Sequence, residues 1–237
     1  MNAENSQNFE LFTKSWKAYQ AIIEHDYLWH SMAATALNQW LSERFGTDIS
    51  FSFVDLACGD SSTTAGVLQN FRNVNYTGVD SSSQALNEAS RNTSQITHQT
   101  LVELDYLDFL ATGEEKYDVI YIGLAAHHLG LENLDRFFNL IRNRLNPGGA
   151  FIAYETFLLP DETLDEHKKR LSLIIRYFWS AMSLAYRQTV VEHVAMNDRP
   201  VSIADWNEKA TNAGLTKTQV LMNSPDRLCS MVISASK

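Results

Sequence analysis

The chain has 237 residues, 45% of them hydrophobic and 20% charged, which suits one domain, or one domain with a cap, around a sizeable core. Its formal charge of −9 argues against a large nucleic-acid footprint, which needs a basic face, and against docking on anionic membranes. Cys58 and Cys229 are too few for a disulfide framework. The opening Met1-Asn2-Ala3-Glu4-Asn5-Ser6 is polar, without a basic or apolar targeting region, and no stretch approaches a membrane span. A cytoplasmic protein with neither nucleic-acid nor membrane partners is the expectation.

Phe9, Phe12, Trp16 and Tyr19 recur at helical spacing, as do Trp29, Ala33, Ala36, Leu37, Trp40 and Leu41. They predict two N-terminal helices, the second closed by Gly46. From Phe51 strand and helix alternate. Strands are predicted at 52–57, 75–79, 97–103, 117–123 and 150–156, with helices at 62–71, 82–92 and 133–145. Leu145-Asn146-Pro147-Gly148-Gly149 predicts a helix stop and a tight turn before the fifth strand. Residues 165–186 read as one long helix, apolar on most of its circumference, and so as a cap over the carboxyl edge of the sheet. A helix at 202–213, closed by Gly214, and strands at 216–222 and 228–235 complete the chain. Repeated strand–helix units with short links predict a doubly wound parallel sheet. Residues 1–46 form an N-terminal helical segment in this reading. Residues 47–159 and 201–237 form the core, and 160–200 a helical lid insertion.

The chemistry concentrates in Phe53-Val54-Asp55-Leu56-Ala57-Cys58-Gly59-Asp60-Ser61, followed by Gly78-Val79-Asp80. An apolar strand enters a turn of small residues, and a second strand ends on an acid. That is how a nucleotide-type cofactor is held at the carboxyl edge of a parallel sheet. The small residues admit backbone N–H groups to the ligand, and the acid accepts from ribose hydroxyls. The string is not the dinucleotide Gly-x-Gly-x-x-Gly. Asp55 would also repel a pyrophosphate, whereas S-adenosylmethionine has no phosphate and carries an ammonium. Alanine at 57 weakens the case for a positive φ there.

The stretch Val54 to Ser61 resembles motif I of class I S-adenosylmethionine-dependent methyltransferases, with Ala57 and Ser61 where the first and third glycines usually stand. Tyr76 to Ser82 resembles motif II, Leu104-Asp105-Tyr106 motif III, and Tyr117 to Gly123, running into Leu124-Ala125-Ala126-His127-His128-Leu129, motif IV. A narrower resemblance is to bacterial small-molecule enzymes with Trp16-Lys17-Ala18-Tyr19, Asp26 to His30, Ala126 to Leu129, His193-Val194 and Asp198-Arg199-Pro200. That group usually has Glu after this proline, where Val201 stands. The resemblance implies an α/β fold: a Rossmann-like, doubly wound, seven-stranded sheet with the last strand antiparallel, N-terminal helices and a helical cap insertion. It implies S-adenosyl-L-methionine as cofactor and a small-molecule methyl acceptor. Carried onto this chain, the cofactor contacts are Tyr19, His30, Asp55, Ala57, Cys58, Gly59, Asp80, Ser81, Asp105, Tyr106, Gly123 and Leu124.

Methyl transfer from a sulfonium is an in-line displacement, so the protein must align a nucleophile, exclude water and, for an O–H or N–H nucleophile, take a proton. His127 and His128 follow the fourth strand, where the loop of this fold faces the methyl group, and are the expected catalytic residues. Tyr177 and Trp179 of the cap, with His193, are expected at the substrate. Three histidines invite a metal reading, but neighbouring ligands at i and i+1 rarely point together, and no metal is expected. The alternative reading is a non-catalytic protein that keeps the fold and binds the cofactor or a partner.

Overall fold

The computed structural model describes residues 16–236; Phe9 and Phe12 of the predicted first helix lie outside the described residues. Helices α1 (Trp16–Glu24) and α2 (His30–Phe45) precede the sheet, and Gly46 closes α2 with φ 61°. The core then runs β1 (Phe51–Leu56), α3 (Ser62–Leu68), β2 (Val74–Asp80), α4 (Ser83–Asn92), β3 (His98–Glu103), α5 (Tyr106–Thr112) and β4 (Tyr117–Gly123). A 3₁₀ turn (Ala126–His128), α6 (Leu131–Arg144) and β5 (Leu145–Glu155) follow. After them come α7 (Leu164–Phe178), α8 (Leu184–Asn197), α9 (Ile203–Asn212), β6 (Gln219–Asn223) and β7 (Ser230–Ala235).

The seven strands are ordered β3-β2-β1-β4-β5-β7-β6. β7 runs antiparallel to both its neighbours, and the other described pairs are parallel. The chain therefore reverses direction across the sheet at β1 and β4, the place where doubly wound sheets bind ligands beyond their carboxyl ends. Side chains alternate across the sheet as the strand period requires. Phe53, Tyr76, Tyr121 and Tyr154 share one core with Leu37, Leu41 and Leu68. Val54, Ile120, Ile122 and Phe151 share the other with Phe137, Phe138 and Trp206.

Three local expectations change. The short helix α5 was not predicted; Asp105 starts it by accepting from the N–H groups of Leu107 and Asp108. Residues 146–149 are not a separate turn: β5 begins at Leu145, which pairs with Tyr117, and the ladder shifts register before Ala150 meets Val119. The single helix expected at 165–186 is two helices. α7 starts on a capping box of Thr163 and Glu166 and ends at Phe178, and Ser183 caps α8 by accepting from the Tyr186 N–H.

Trp179 causes that break. Its ring stacks on Tyr27 at 4.9 Å and 6°, and the Ala181 N–H donates to the Tyr27 hydroxyl at 2.8 Å. Trp179 is 3% exposed, part of the core, while Tyr177 is 72% exposed on the outer surface. Apolar content on most sides of the segment was shared between a tie to the N-terminal helices and an open face. Trp179→Ala should lower stability by about 3–5 kcal/mol, the usual cost of emptying a large aromatic site. Denaturant unfolding of the ligand-free protein measures this, and a contact made only to substrate would leave that curve unchanged.

Candidate active site

The turn after β1 is built on unusual backbone. Ala57, Gly59 and Ser61 all have positive φ, at 52°, 55° and 55°. The two non-glycine residues thus adopt the conformation for which alanine at 57 seemed a poor choice. A side chain in that region costs roughly 1–2 kcal/mol, which the surrounding bonds must offset. The Ser61 hydroxyl bonds that of Tyr76 at 2.7 Å, and the Cys58 N–H donates to the Val79 carbonyl.

Asp80, at the end of β2, holds the turn from the side. One carboxylate oxygen accepts from the Gly59 N–H at 2.9 Å and the other from the Ser82 N–H at 2.8 Å. An ionised carboxylate has about four lone-pair sites, so acceptor capacity remains. Burial raises its pKa, against the pull of those two bonds. Ser81 is exposed beside it. Above the turn lies the Tyr19 hydroxyl: a Cβ added to Gly59 would sit 3.0 Å from it, so only glycine leaves room. Burial, then Asp60, Asp80 and Asp55, keep the Tyr19 phenol protonated. His30 stands edge-on to Tyr154, with its pKa lowered by burial against the opposing pull of Asp26 and Asp60. The Tyr154 hydroxyl donates to the Leu28 carbonyl, tying this part of the N-terminal segment to β5.

Two expected contacts sit deeper. Asp55 is buried, accepting from the Thr64 hydroxyl at 2.7 Å and the Tyr76 hydroxyl at 3.3 Å. Burial pushes its pKa up to about 7, so it supports the turn from beneath and is a weak counter-charge for an ammonium. The Cys58 thiol is raised well above its ordinary value by burial and stays protonated. On the other flank, Asp105 caps α5 and Tyr106 turns its ring edge toward Phe137 at 6.3 Å.

The edge of β4 forms the second half of the site. Gly123 ends the strand, and Leu124 takes φ 53° while donating to the Tyr154 carbonyl at 2.7 Å. The buried Glu155, at the end of β5, accepts from the N–H groups of Ala125 and Ala126 at 2.9 and 2.7 Å. Its second oxygen lies 2.7 Å from His127 Nδ1. His127, His128 and His193 then converge on Asp198. Sequence reasoning brought forward the histidines but gave neither carboxylate this part; the acid two residues before Pro200 was the available signal. Burial pulls His127 down, but Asp198 and Glu155 together hold it above its ordinary value. Burial, then His127 and His193, lower His128 well below its ordinary value. Burial brings His193 to about 4.

Residues 54–151 match a family profile described as a methyltransferase domain. No curated protein sequence matches the chain. Among solved structures, the magnesium protoporphyrin IX methyltransferase of Synechocystis, with bound SAH, aligns over 100% of both chains at 12% identity and a TM-score of 0.70. The plantazolicin methyltransferase BamL, solved with a desmethyl analogue and SAH, aligns over 99% of this chain and 96% of its own, at 15% identity and 0.68. Human N-acetylserotonin methyltransferase, in complex with SAM, aligns over 96% of this chain at 13% identity and 0.63; this chain spans 58% of it. This chain spans 67% of a similar Bordetella parapertussis protein and 56% of a Nostoc punctiforme one. At these identities the likeness is one of fold. Residues 54–151 are thus similar to a methyltransferase domain, and the chain has the fold of these methyltransferase structures.

Proposed function

We propose that the protein is an S-adenosyl-L-methionine-dependent methyltransferase that acts on a small-molecule acceptor beneath α7 and α8. The observation that carries this reading is the pairing of Asp80 with Gly59 across the ends of β2 and β1. It places a carboxylate with spare acceptor sites beside a tight turn of small residues, which suits a ribose and an amino-acid moiety. The donor groups of the cofactor fit this edge: no phosphate has to be placed near Asp55, Asp60 and Asp80.

Bound there, the cofactor supplies an electrophilic methyl group. Asp80 accepts from the ribose hydroxyls, with Ser81 next to it. Ala57, Cys58 and Gly59 offer backbone to the amino-acid end, and Tyr19 and His30 close over it. Asp105 and Tyr106 flank the adenine. Gly123 and Leu124 border the transferred methyl group, and the strained Leu124 backbone fixes that border. His127 and His128 stand at the acceptor end, with His193 opposite. His128 and His193 stay neutral at pH 7, so they are weak proton acceptors and position the acceptor as imidazoles.

Calorimetric titration with SAH, and transfer of labelled methyl from the cofactor to small-molecule fractions, test the assignment. Binding with no transfer to any acceptor class would favour a non-catalytic cofactor-binding protein. Asp80→Ala should weaken SAH binding about 10–150-fold, the equivalent of ~1.5–3 kcal/mol for hydrogen bonds to a charged group. Unchanged affinity removes Asp80 from the ribose.

Asp55 gives a test on stability. Its pKa is about 7 when folded against roughly 3.9 unfolded, so the folded state favours the proton. The cost of ionising it is absent below about pH 4, grows as pH rises to about 7, and is constant above. At about 1.4 kcal/mol per unit the full cost is a few kcal/mol. Asp55→Asn should therefore gain on the parent across that window in urea unfolding. Parallel curves would show Asp55 ionised at little cost.

A further inference from the structure

The histidine group contains an arrangement that methyl transfer does not require. His127 Nε2, His128 Nδ1 and His193 Nε2 each lie 3.7 Å from a single atom, Asp198 Oδ1. These contacts are too long for hydrogen bonds. Asp198 is 3% exposed, and its Oδ1 is buried with no hydrogen-bond partner. The ligand atoms of His127, His128 and Asp198 all lie within 4.8 Å of one another. A buried carboxylate oxygen ringed by nitrogens just beyond bonding distance is costly as it stands. Donor atoms around a tetrahedral zinc ion sit roughly 3.3–3.5 Å apart, given bonds of about 2.0–2.1 Å. The three distances to Asp198 Oδ1 come within a few tenths of an ångström of that.

We propose that His127, His128 and Asp198, with His193 beside them, form a binding site for a divalent transition-metal ion of the zinc class, joining the turn after β4 to the end of α8. Sequence argues against adjacent ligands, but here the two neighbours use different nitrogens. His127 reaches with Nε2 and His128 with Nδ1, their ring centres 4.1 Å apart. His127 also has the outer partner that metal-bound histidines usually show: Nδ1 donates to Glu155, which leaves the Nε2 lone pair facing Asp198. That nitrogen and the carboxylate oxygen need a cation between them, either a proton on Nε2 or a metal ion. Asp198 and Glu155 together offset the two charges of such an ion. Competing contacts are weak or can turn: His128 Nδ1 lies 3.4 Å from the Asn197 carbonyl, and His193 Nδ1 lies 3.0 Å from the Asn197 amide, which can rotate to present its oxygen. Imidazoles with one carboxylate select zinc, cobalt or iron over magnesium. The site stands on this geometry and not on the methyl-transfer reading.

The test uses the full chain, free of any affinity tag and dialysed against chelator. Co²⁺ is added and visible absorption is read for the ligand-field bands of a low-symmetry site, alongside the melting temperature. Expected are saturable bands at one equivalent, displacement by Zn²⁺, no response to Mg²⁺, and a melting temperature raised by about 5–10 °C at a hundredfold excess over Kd. Asp198→Asn and His128→Gln should each weaken Co²⁺ binding at least tenfold. X-ray absorption of the zinc-loaded parent should show imidazole scattering and needs no variant to fold. Absence of the bands and of the melting shift in the parent would overturn the site. So would binding that both variants leave unchanged, or absorption without imidazole. SAH calorimetry on the chelator-treated protein separates this outcome from failure of the methyltransferase assignment.

Discussion

A single buried carboxylate at the end of β5 organises the turn after β4. Glu155 takes two backbone N–H groups from the turn after β4 and the ring of His127. Those N–H groups start a short 3₁₀ turn and have no partner of their own in its first residues. The carboxylate satisfies them and sets which His127 nitrogen faces away. Removing it would leave two buried donors and a free ring, a cost above that of an ordinary surface bond. Leu124 can hold its strained backbone because the bond to Tyr154 on one side and the Glu155 bonds on the other fix it.

The cofactor side has the same design with different parts. Asp80 ties two strand ends through backbone N–H groups, and the Ser61–Tyr76 hydroxyl pair ties the far end of the turn. Bonds from side chains to backbone, more than glycine content, maintain the shape. The N-terminal segment joins the two halves. Tyr27 meets Trp179 and Ala181, and the Trp29 indole donates to Asp226 at 2.8 Å, in the loop between β6 and β7.

Periodicity made most of the fold legible: strand alternation in β1, β2 and β4, and the long amphipathic α6, carry their own signals. The motif order then fixed the sheet topology, including the antiparallel β7. The misses have local causes. The helix α5 spans only Tyr106–Thr112, too short for a clear period, and announces itself chiefly through the Asp105 cap. The segment around Trp179 looked continuous because its apolar residues answer to Tyr27, a partner far away in sequence. At Ala57 residue type misled about φ, since tertiary bonds overrode local preference. In the sequence, His127 and His128 stood out because histidine is rare and chemically distinctive. Glu155 and Asp198 were passed over because a carboxylate in a sequence shows neither its burial nor what surrounds it.

The way the segment bearing α7 and α8 leaves the core has a further consequence. The Leu158 N–H donates to the Val201 carbonyl at 3.0 Å, and Leu158 bridges Ser202 in parallel. The chain thus departs and returns through adjacent residues, with Arg199 N–H bonded to the His127 carbonyl just inside. Such an insertion is closed by the core and not by its own length, and a longer or shorter excursion changes the closure entropy only slowly. Within the excursion only particular residues hold the core, as where Trp179 stacks on Tyr27 and Asp198 faces His127. The rest of residues 159–200 is then exchangeable: other sequence can be grafted around those contacts while the turn after β1 and its ties to β2 stay as they are.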